Sequence, residues 1–299
     1  MSNPHTSGSD DHLALVKDYS RWIGVERTRS EVISGWPARA LAATLDRDPA
    51  QLTDGARLPE GWHWIYFNEP TPASRLGTDG HEARGDFLPE VPLPRRMWAG
   101  GRLRFHAPLR IGDRAERTSV VEDVTPKRGR SGALVFVTVR HRIAGPEGLS
   151  VDEEQSIVYR APPPVAAGDG GSSGGGNAER PVWGDTVARL RPDPVMLFRF
   201  SALTFNGHRI HYDHPYATEV EGYPGLVVHG PLLALLLLGA GVERSGGTAR
   251  DFTYRALAPV FCGEDVEILA ERDPSTSGEG ARLSAFHPGR GAAMEARLR

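Results

Sequence analysis

The densest group of side chains that could do chemistry lies in residues 198–238, where four histidines fall within 22 residues. They are His208, His211, His214 and His229. Imidazole titrates near physiological pH, so such a group suits proton transfer or metal binding. Pro215 and the neighbouring turn residues disfavour the continuous helix that would place the first three on one face, and no cysteine accompanies them. We therefore expect no metal site.

Two sequence motifs, one of them in this region, resemble those of a known family. Residues 201–213 read SALTFNGHRIHYD, and residues 95–101 read RRMWAGG. With both motifs, the chain resembles the MaoC-type hydratases and dehydratases (hydratase 2). It is most similar to a subgroup containing mesaconyl-CoA and itaconyl-CoA hydratases and type 2 hydroxyacyl-thioester dehydratases. The resemblance covers nearly the whole chain and implies an α+β double hotdog fold: two curved antiparallel sheets, each wrapped around a central helix.

The resemblance also implies roles for individual residues. His211 is the expected proton-transfer group, and Asn206 stands where ordinary MaoC hydratases carry an aspartate. An amide cannot act as a general base near neutral pH, so we expect Asn206 to hold the attacking water instead. The backbone N–H of Gly230, at the start of an apolar helix, is expected to bind the thioester oxygen. His208, Asp213 and His229 are expected to support these groups.

Plainer structural roles remain open for the same residues. Asn206 precedes a glycine, and Asn-Gly is a common turn pair. Gly230 could simply permit close packing where the helix starts. Asp213 could cap a following helix, since aspartate is a favoured N-cap residue, or it could supply the carboxylate that Asn206 lacks.

The substrate of such an enzyme is an acyl-CoA or an acyl carrier protein, so its phosphates and any free carboxylate need cationic partners. We expect Arg199 and Arg209 to contact phosphate, and Arg95 or Arg96 to receive a substrate carboxylate. Addition of water to an enoyl thioester requires no cofactor beyond the CoA or carrier that belongs to the substrate.

Hydrophobic spacing and turn residues predict the elements that position these groups. In the first half they predict helices at Asp11–Trp22 and Trp36–Leu45, then strands at Arg102–Phe105, Arg114–Thr125, Ala133–Ile143 and Gln155–Tyr159. In the second half they predict helices at Asp193–Thr204 and Pro231–Gly241, then strands at Asp251–Leu257, Glu264–Arg272, Ala281–Pro288 and Ala292–Leu298. The helices near Trp36–Leu45 and at Pro231–Gly241 are the predicted centres of the two hotdogs.

Composition suggests how the chain is divided. Residues 1–10 are predicted to be a disordered tail, and the Pro/Gly/Ser-rich segment 161–180 to be a linker. Residues 11–160 would form a non-catalytic MaoC-like hotdog that shapes the site, and residues 181–299 the catalytic one. The irregular segment 68–95 is long enough to carry function.

Charge and cysteine content exclude several classes of protein. The net charge of -3 disfavours nucleic-acid binding, and the single cysteine, Cys262, excludes an intramolecular disulfide framework. We find no signal peptide and expect a cytoplasmic protein that does not bind membranes, acting as a monomeric pseudo-dimer or a homodimer.

The leading hypothesis is therefore a hydro-lyase that reversibly hydrates a branched dicarboxylic acyl-CoA such as mesaconyl-CoA or itaconyl-CoA. An (R)-3-hydroxyacyl-CoA or acyl-carrier-protein dehydratase of fatty-acid or polyketide type is the first alternative. A hotdog thioesterase or a non-catalytic subunit is the second, although the helix Pro231–Gly241 lacks the carboxylate that hydrolysis would use.

Overall fold

The computed structural model describes residues 6–129, 132–161, 180–247, 249–273 and 280–299. Its strands are β1 (Glu26–Val32), β2 (Arg95–Phe105), β3 (Arg114–Gly129), β4 (Gly132–Gly145), β5 (Gly148–Arg160), β6 (Asp185–Leu190), β7 (Asp251–Ala256), β8 (Val266–Arg272), β9 (Ala281–His287) and β10 (Gly291–Leu298). Its α-helices are α1 (Thr6–Val16), α2 (Gly35–Thr44), α3 (Pro194–Leu203) and α4 (Gly230–Ser245).

All ten of these strands form one antiparallel sheet in the order β1-β3-β4-β5-β2-β7-β10-β9-β8-β6. The first five in this order come from the N-terminal half and the last five from the C-terminal half. The two predicted sheets are thus the two halves of a continuous sheet, joined where β2 pairs with β7. This architecture agrees with the predicted α+β double hotdog.

The junction explains the glycine pair of the RRMWAGG motif, which lies in β2. A side chain at Gly100 would approach the carbonyl oxygen of Tyr254 in β7 to 2.5 Å. At Gly101 it would come equally close to the Tyr254 hydroxyl. Only glycine permits this approach, so the motif is needed to join the halves and to hold Arg95 and Arg96 at the start of the same strand.

Helix α4 is the central helix of the C-terminal half. Leucine and alanine favour helix, Pro231 stands in its first turn, and Gly246 (φ 90°) ends it in the left-handed conformation. Its leucines are buried on nearly every side, and it packs against β8, β9 and β10. A helix apolar all round must be buried, so α4 forms the core of this half and fixes the position of its own N-terminus.

Helix α2 confirms the predicted helix near Trp36–Leu45, and it packs against α3 of the other half. Its buried residues Ala38 and Leu41 share one core with residues of both halves. Helix α1 instead covers β3 and β4. In the described parts of the chain, none of the helices has the length and hydropathy that spanning a membrane requires.

Several sequence-based boundaries were wrong. Helix α1 starts at Thr6, inside the predicted tail, and ends at Val16, six residues before the predicted end at Trp22. Residues 1–5 of that tail and 162–179 of the predicted linker lie outside the described residues. Strand β2 begins at Arg95 rather than Arg102, and β1 and β6 were missed. These two edge strands are rich in charged residues and have little apolar alternation, so hydrophobic patterning did not reveal them.

Candidate active site

A cavity of about 1120 Å³ lies between the two halves and is lined by both. Asn206, His208, His211 and Gly230 contribute from the C-terminal half. The N-terminal half contributes β2 and part of the irregular segment 68–95. The sequence motifs at 95–101 and 201–213, more than 100 residues apart, therefore meet at one cavity.

His211 lies at the end of a 3-10 turn, Arg209–His211, and its side chain is 7% exposed. Its Nδ1 donates a hydrogen bond to the carbonyl oxygen of Val227 at 2.7 Å. Its Nε2 has no partner among the described residues. Burial, opposed by the Val227 hydrogen bond, lowers the pKa of His211 to about 4. The imidazole is thus neutral near pH 7 and offers a free Nε2 lone pair, as a general base requires.

The ring of His229 packs against the ring of His211. The two rings stack with centroids 3.6 Å apart, and His229 is completely buried as the residue preceding α4. Its Nε2 is hydrogen-bonded to the hydroxyl of Ser201 at 2.8 Å. Burial, together with His211 and His208, lowers the pKa of His229 well below its ordinary value. His229 therefore stays neutral and fixes the plane of the His211 ring.

Asn206 follows α3, whose N-cap Asp193 accepts a hydrogen bond from the backbone of Met196. The Oδ1 of Asn206 accepts a hydrogen bond from the backbone N–H of His208 at 3.0 Å. This is the turn that the Asn-Gly sequence predicted, and it leaves the side-chain Nδ2 without a partner among the described residues. Asn206 lines the cavity and can donate hydrogen bonds there, but it cannot accept a proton from water.

Gly230 is the first residue of α4, so its N–H has no acceptor within the helix. It lines the cavity, and a side chain there would lie 3.4 Å from the indole of Trp98. The helix dipole adds a partial positive charge at this end. Gly230 can therefore stabilise negative charge that develops on a thioester oxygen.

A tight hairpin spanning residues 75–83 brings Asp79 and His81 to the same cavity. The Nδ1 of His81 lies 3.2 Å from Oδ2 of Asp79, and the His81 backbone N–H donates to Oδ1 at 3.0 Å. The rings of His81 and His208 have centroids 4.1 Å apart, and those of His208 and His211 5.5 Å apart. Three imidazoles thus follow one another from the N-terminal hairpin to His211.

Asp79, His81 and His208 each place one potential metal ligand within 4.8 Å of the others. However, both oxygens of Asp79 are engaged by His81, one by its ring and one by its backbone. The contact that the structure shows within this group is the orientation of the His81 imidazole by the carboxylate of Asp79.

The four predicted substrate-binding arginines are placed differently from one another. Arg96 lines the cavity, and its side chain makes no hydrogen bond or ion pair with any described residue. Arg95 also lines it, but forms an ion pair with Glu221 at 3.0 Å. Arg199 is exposed and does not line the cavity. Arg209 is also outside the lining, since its guanidinium is held by Asp213 at 2.7 Å.

The contacts of Asp213 decide between the two roles that the sequence left open for it, helix capping and supply of a carboxylate to the cavity. Besides binding Arg209, it accepts a hydrogen bond from the backbone of Tyr216 at 3.2 Å. It does not line the cavity. The capping role that was left open therefore describes Asp213 in this fold. Among the carboxylates that line the cavity, Asp79 is hydrogen-bonded to His81 and Glu153 to His63.

Sequence reasoning missed three contributors to this site. Asp79 and His81 lie in the segment 68–95, which was expected to carry function, but neither residue was singled out. Their Asp-Gly-His spacing is the signal that could have identified them. Ser201 lies in the SALT motif and is hydrogen-bonded to His229. Only the three-dimensional structure reveals this contact.

Known proteins resemble this chain over most of its length. A mesaconyl-C(4)-CoA hydratase of Chloroflexus aurantiacus is 46% identical over 254 residues, which cover 85% of this chain and 89% of that protein. The mitochondrial hydroxyacyl-thioester dehydratase type 2 of Schizosaccharomyces pombe is 27% identical over 280 residues, covering 85% and 88%. A Mycobacterium tuberculosis protein with a double hotdog fold superposes with a TM-score of 0.53 at 17% identity, covering 92% and 95%.

A cavity between two hotdog halves, lined by a buried imidazole and by a helix N-terminus, is the arrangement of a hydro-lyase that acts on acyl thioesters. The family model for hydroxyacyl-thioester dehydratase type 2 matches residues 61–262. The chain belongs to this family.

Proposed function

We propose that the enzyme reversibly adds water to the double bond of an α,β-unsaturated dicarboxylic acyl-CoA of the mesaconyl-CoA type. The observation that carries this proposal is Arg96, a cation without a protein partner in the cavity that also holds His211. A guanidinium binds a carboxylate with two parallel hydrogen bonds, so a substrate with a free carboxylate would satisfy it. The similarity to a mesaconyl-C(4)-CoA hydratase supports the same substrate class.

The reaction has requirements that the site residues can meet. A base must take a proton from water as oxygen attacks Cβ, and the neutral Nε2 of His211 is suited to that task. The side-chain amide of Asn206 can orient the water. The thioester oxygen becomes negative as the enolate forms, and the N–H of Gly230 can stabilise it. Because these steps move only protons and hydroxide, we propose that the reaction needs no redox cofactor.

Dehydration of a (R)-3-hydroxyacyl thioester without a second carboxylate is the second candidate. The similarity to the mitochondrial type 2 dehydratase of S. pombe favours it. The two candidates use the same proton transfers and differ in whether Arg96 binds a substrate group.

The experiment that separates them compares Arg96→Gln with the wild-type enzyme on mesaconyl-CoA and crotonyl-CoA, following loss of the enoyl-thioester absorbance. We expect the wild type to prefer mesaconyl-CoA. We expect the substitution to reduce kcat/KM for mesaconyl-CoA by about tenfold or more, as loss of a charged hydrogen bond would, and to leave crotonyl-CoA nearly unaffected. Equal losses on both substrates would contradict carboxylate binding by Arg96, and a wild-type preference for crotonyl-CoA would favour the second candidate. Release of free CoA thiol would indicate hydrolysis.

A further inference from the structure

The site as proposed has a group that takes a proton from water but no assigned group that gives one to Cα. Ordinary MaoC hydratases carry an aspartate where this chain has Asn206, so one titratable group is missing from the C-terminal half. Asp213 does not replace it, because it is bound to Arg209 and lies outside the cavity lining. The replacement must come from another element that reaches the cavity.

We propose that His81, oriented by Asp79, is the second catalytic group and exchanges the proton at Cα. This inference rests on the proposed function and adds a residue of the N-terminal half to its chemistry. His81 lines the cavity, and its Nε2 has no partner among the described residues. Its Nδ1 is engaged by Asp79, as that of His211 is by Val227. Two imidazoles, each held through Nδ1 and with no partner at Nε2 among the described residues, thus line the same cavity.

The hairpin that carries His81 is fitted to the catalytic turn of the other half. The backbone N–H of Arg209 donates to the carbonyl oxygen of Asp79 at 2.9 Å. The Arg209 guanidinium also donates to the carbonyl oxygen of Thr78 at 3.0 Å. Gly80 (φ 85°) lies so close to Gly207 that a Cβ on Gly80 would come within 2.0 Å of the Gly207 carbonyl oxygen. Such contacts position His81 against residues 207–211 with little freedom.

The carboxylate of Asp79 equips His81 to carry a positive charge. Burial raises the pKa of Asp79, but the hydrogen bonds from His81, together with the charges of His81 and His208, keep the pKa below its usual value. A carboxylate bound to Nδ1 stabilises an imidazolium, as in hydrolase triads. His208, the neighbouring imidazole, has no such partner, and burial with His81 and His211 lowers its pKa to about 2. Of these two histidines, His81 is the one suited to hold the proton.

Substrate binding would favour the protonated form of His81. The groups that act on it are Asp79, Arg96, Arg84 and His208. Burial and the charge of Arg96 lower the pKa of His81 to about 4, while Asp79 opposes them. A substrate carboxylate on Arg96 would neutralise that guanidinium and remove its repulsion. The dicarboxylic substrate would thus promote protonation of the acid that acts on it.

His211 and His81 together account for both proton transfers of the reaction. In hydration, neutral His211 accepts a proton from water as the oxygen bonds to Cβ, and the π electrons move into the thioester enolate. Protonated His81 then donates its proton to Cα as the carbonyl re-forms. One proton returns from His211 to His81, which restores the starting charges. Dehydration runs the same steps in reverse.

The test compares steady-state hydration by wild type, His81→Gln, Asp79→Asn and a matched His106→Gln control, whose histidine is exposed and does not line the cavity. We expect His81→Gln to reduce kcat by about 10² or more with KM within a few-fold, and His106→Gln to match wild type. Asp79→Asn removes the partner that raises the pKa of His81. The group must be protonated to act, so the alkaline limb of the kcat–pH profile should move to lower pH.

The proposal would be overturned if His81→Gln retained more than about a third of wild-type kcat, or if the alkaline limb did not move in Asp79→Asn. Loss of wild-type activity after chelation, restored by added zinc, would also overturn it by assigning the cluster to a metal. Failure of the wild type itself to hydrate mesaconyl-CoA or crotonyl-CoA would contradict the proposed function instead. Far-UV circular dichroism and Tm of each variant separate misfolding from loss of chemistry.

Discussion

Replacing Gly80 by alanine tests whether the hairpin at residues 75–83 must lie against the catalytic turn. The new Cβ would come within 2.0 Å of the Gly207 carbonyl oxygen, whereas Cβ atoms essentially never approach closer than 3.0 Å. The hairpin must therefore retreat by about 1 Å, a displacement that can cost about 10² in rate when it affects catalytic groups. The alanine would also be held at φ 85°, which costs about 1–2 kcal/mol.

Gly24→Ala is the matched control for backbone strain. Gly24 has nearly the same φ, 86°, but nothing lies within 4 Å of the position that its Cβ would take. Both variants should lose about 1–2 kcal/mol of unfolding free energy through strain, and Gly80→Ala should lose more through the contact with Gly207. Only Gly80→Ala should lose kcat, by about 10².

The assays are chemical denaturation for stability and enoyl-thioester absorbance for kcat on mesaconyl-CoA. If Gly80→Ala folds and keeps wild-type kcat, the hairpin does not need its observed position, and the reasoning that links it to the site is wrong. If Gly24→Ala loses kcat to the same extent, the loss reflects general strain rather than displacement of Asp79 and His81.

Three further predictions concern the cavity residues. His211→Ala should reduce kcat by at least about 10² while circular dichroism shows an intact fold; retention of more than about a tenth of the rate would refute its role as base. Because burial lowers the pKa of His211 to about 4, the acid limb of the wild-type kcat/KM–pH profile should lie near that pH, which a pH–rate profile measures. Asn206→Asp places a negative charge near His211 and should raise its pKa, so the acid limb should move to higher pH; an unchanged profile would mean that the amide does not act at the reacting water.

The C-terminal half was largely predictable because its sequence signals are local. An apolar run with proline at its start and glycine after its end specifies α4, and alternating strands follow it. The motif at 201–213 likewise indicated Asn206 and His211, and the start of the apolar helix indicated Gly230; the fold brings all three to one cavity.

Contacts between distant segments were not predictable in this way. The hairpin carrying Asp79 and His81 reaches the cavity through a glycine–glycine contact between residues 80 and 207, and no periodicity encodes that contact. Arg199 and Arg96 look alike as sequence letters, yet one is exposed and the other lines the cavity. Burial and partners, which decide the chemistry of a charged side chain, depend on the whole fold.

The central claim is addition of water at Cβ of a dicarboxylic enoyl thioester. The most direct measurement incubates the purified enzyme with mesaconyl-CoA in water labelled with heavy oxygen and locates the label by mass spectrometry and NMR. We predict one labelled hydroxyl on Cβ and an intact thioester, with the product formed at least about 10² more slowly by His211→Ala. Label in a newly released free acid, or no incorporation with the wild-type enzyme, would contradict this claim.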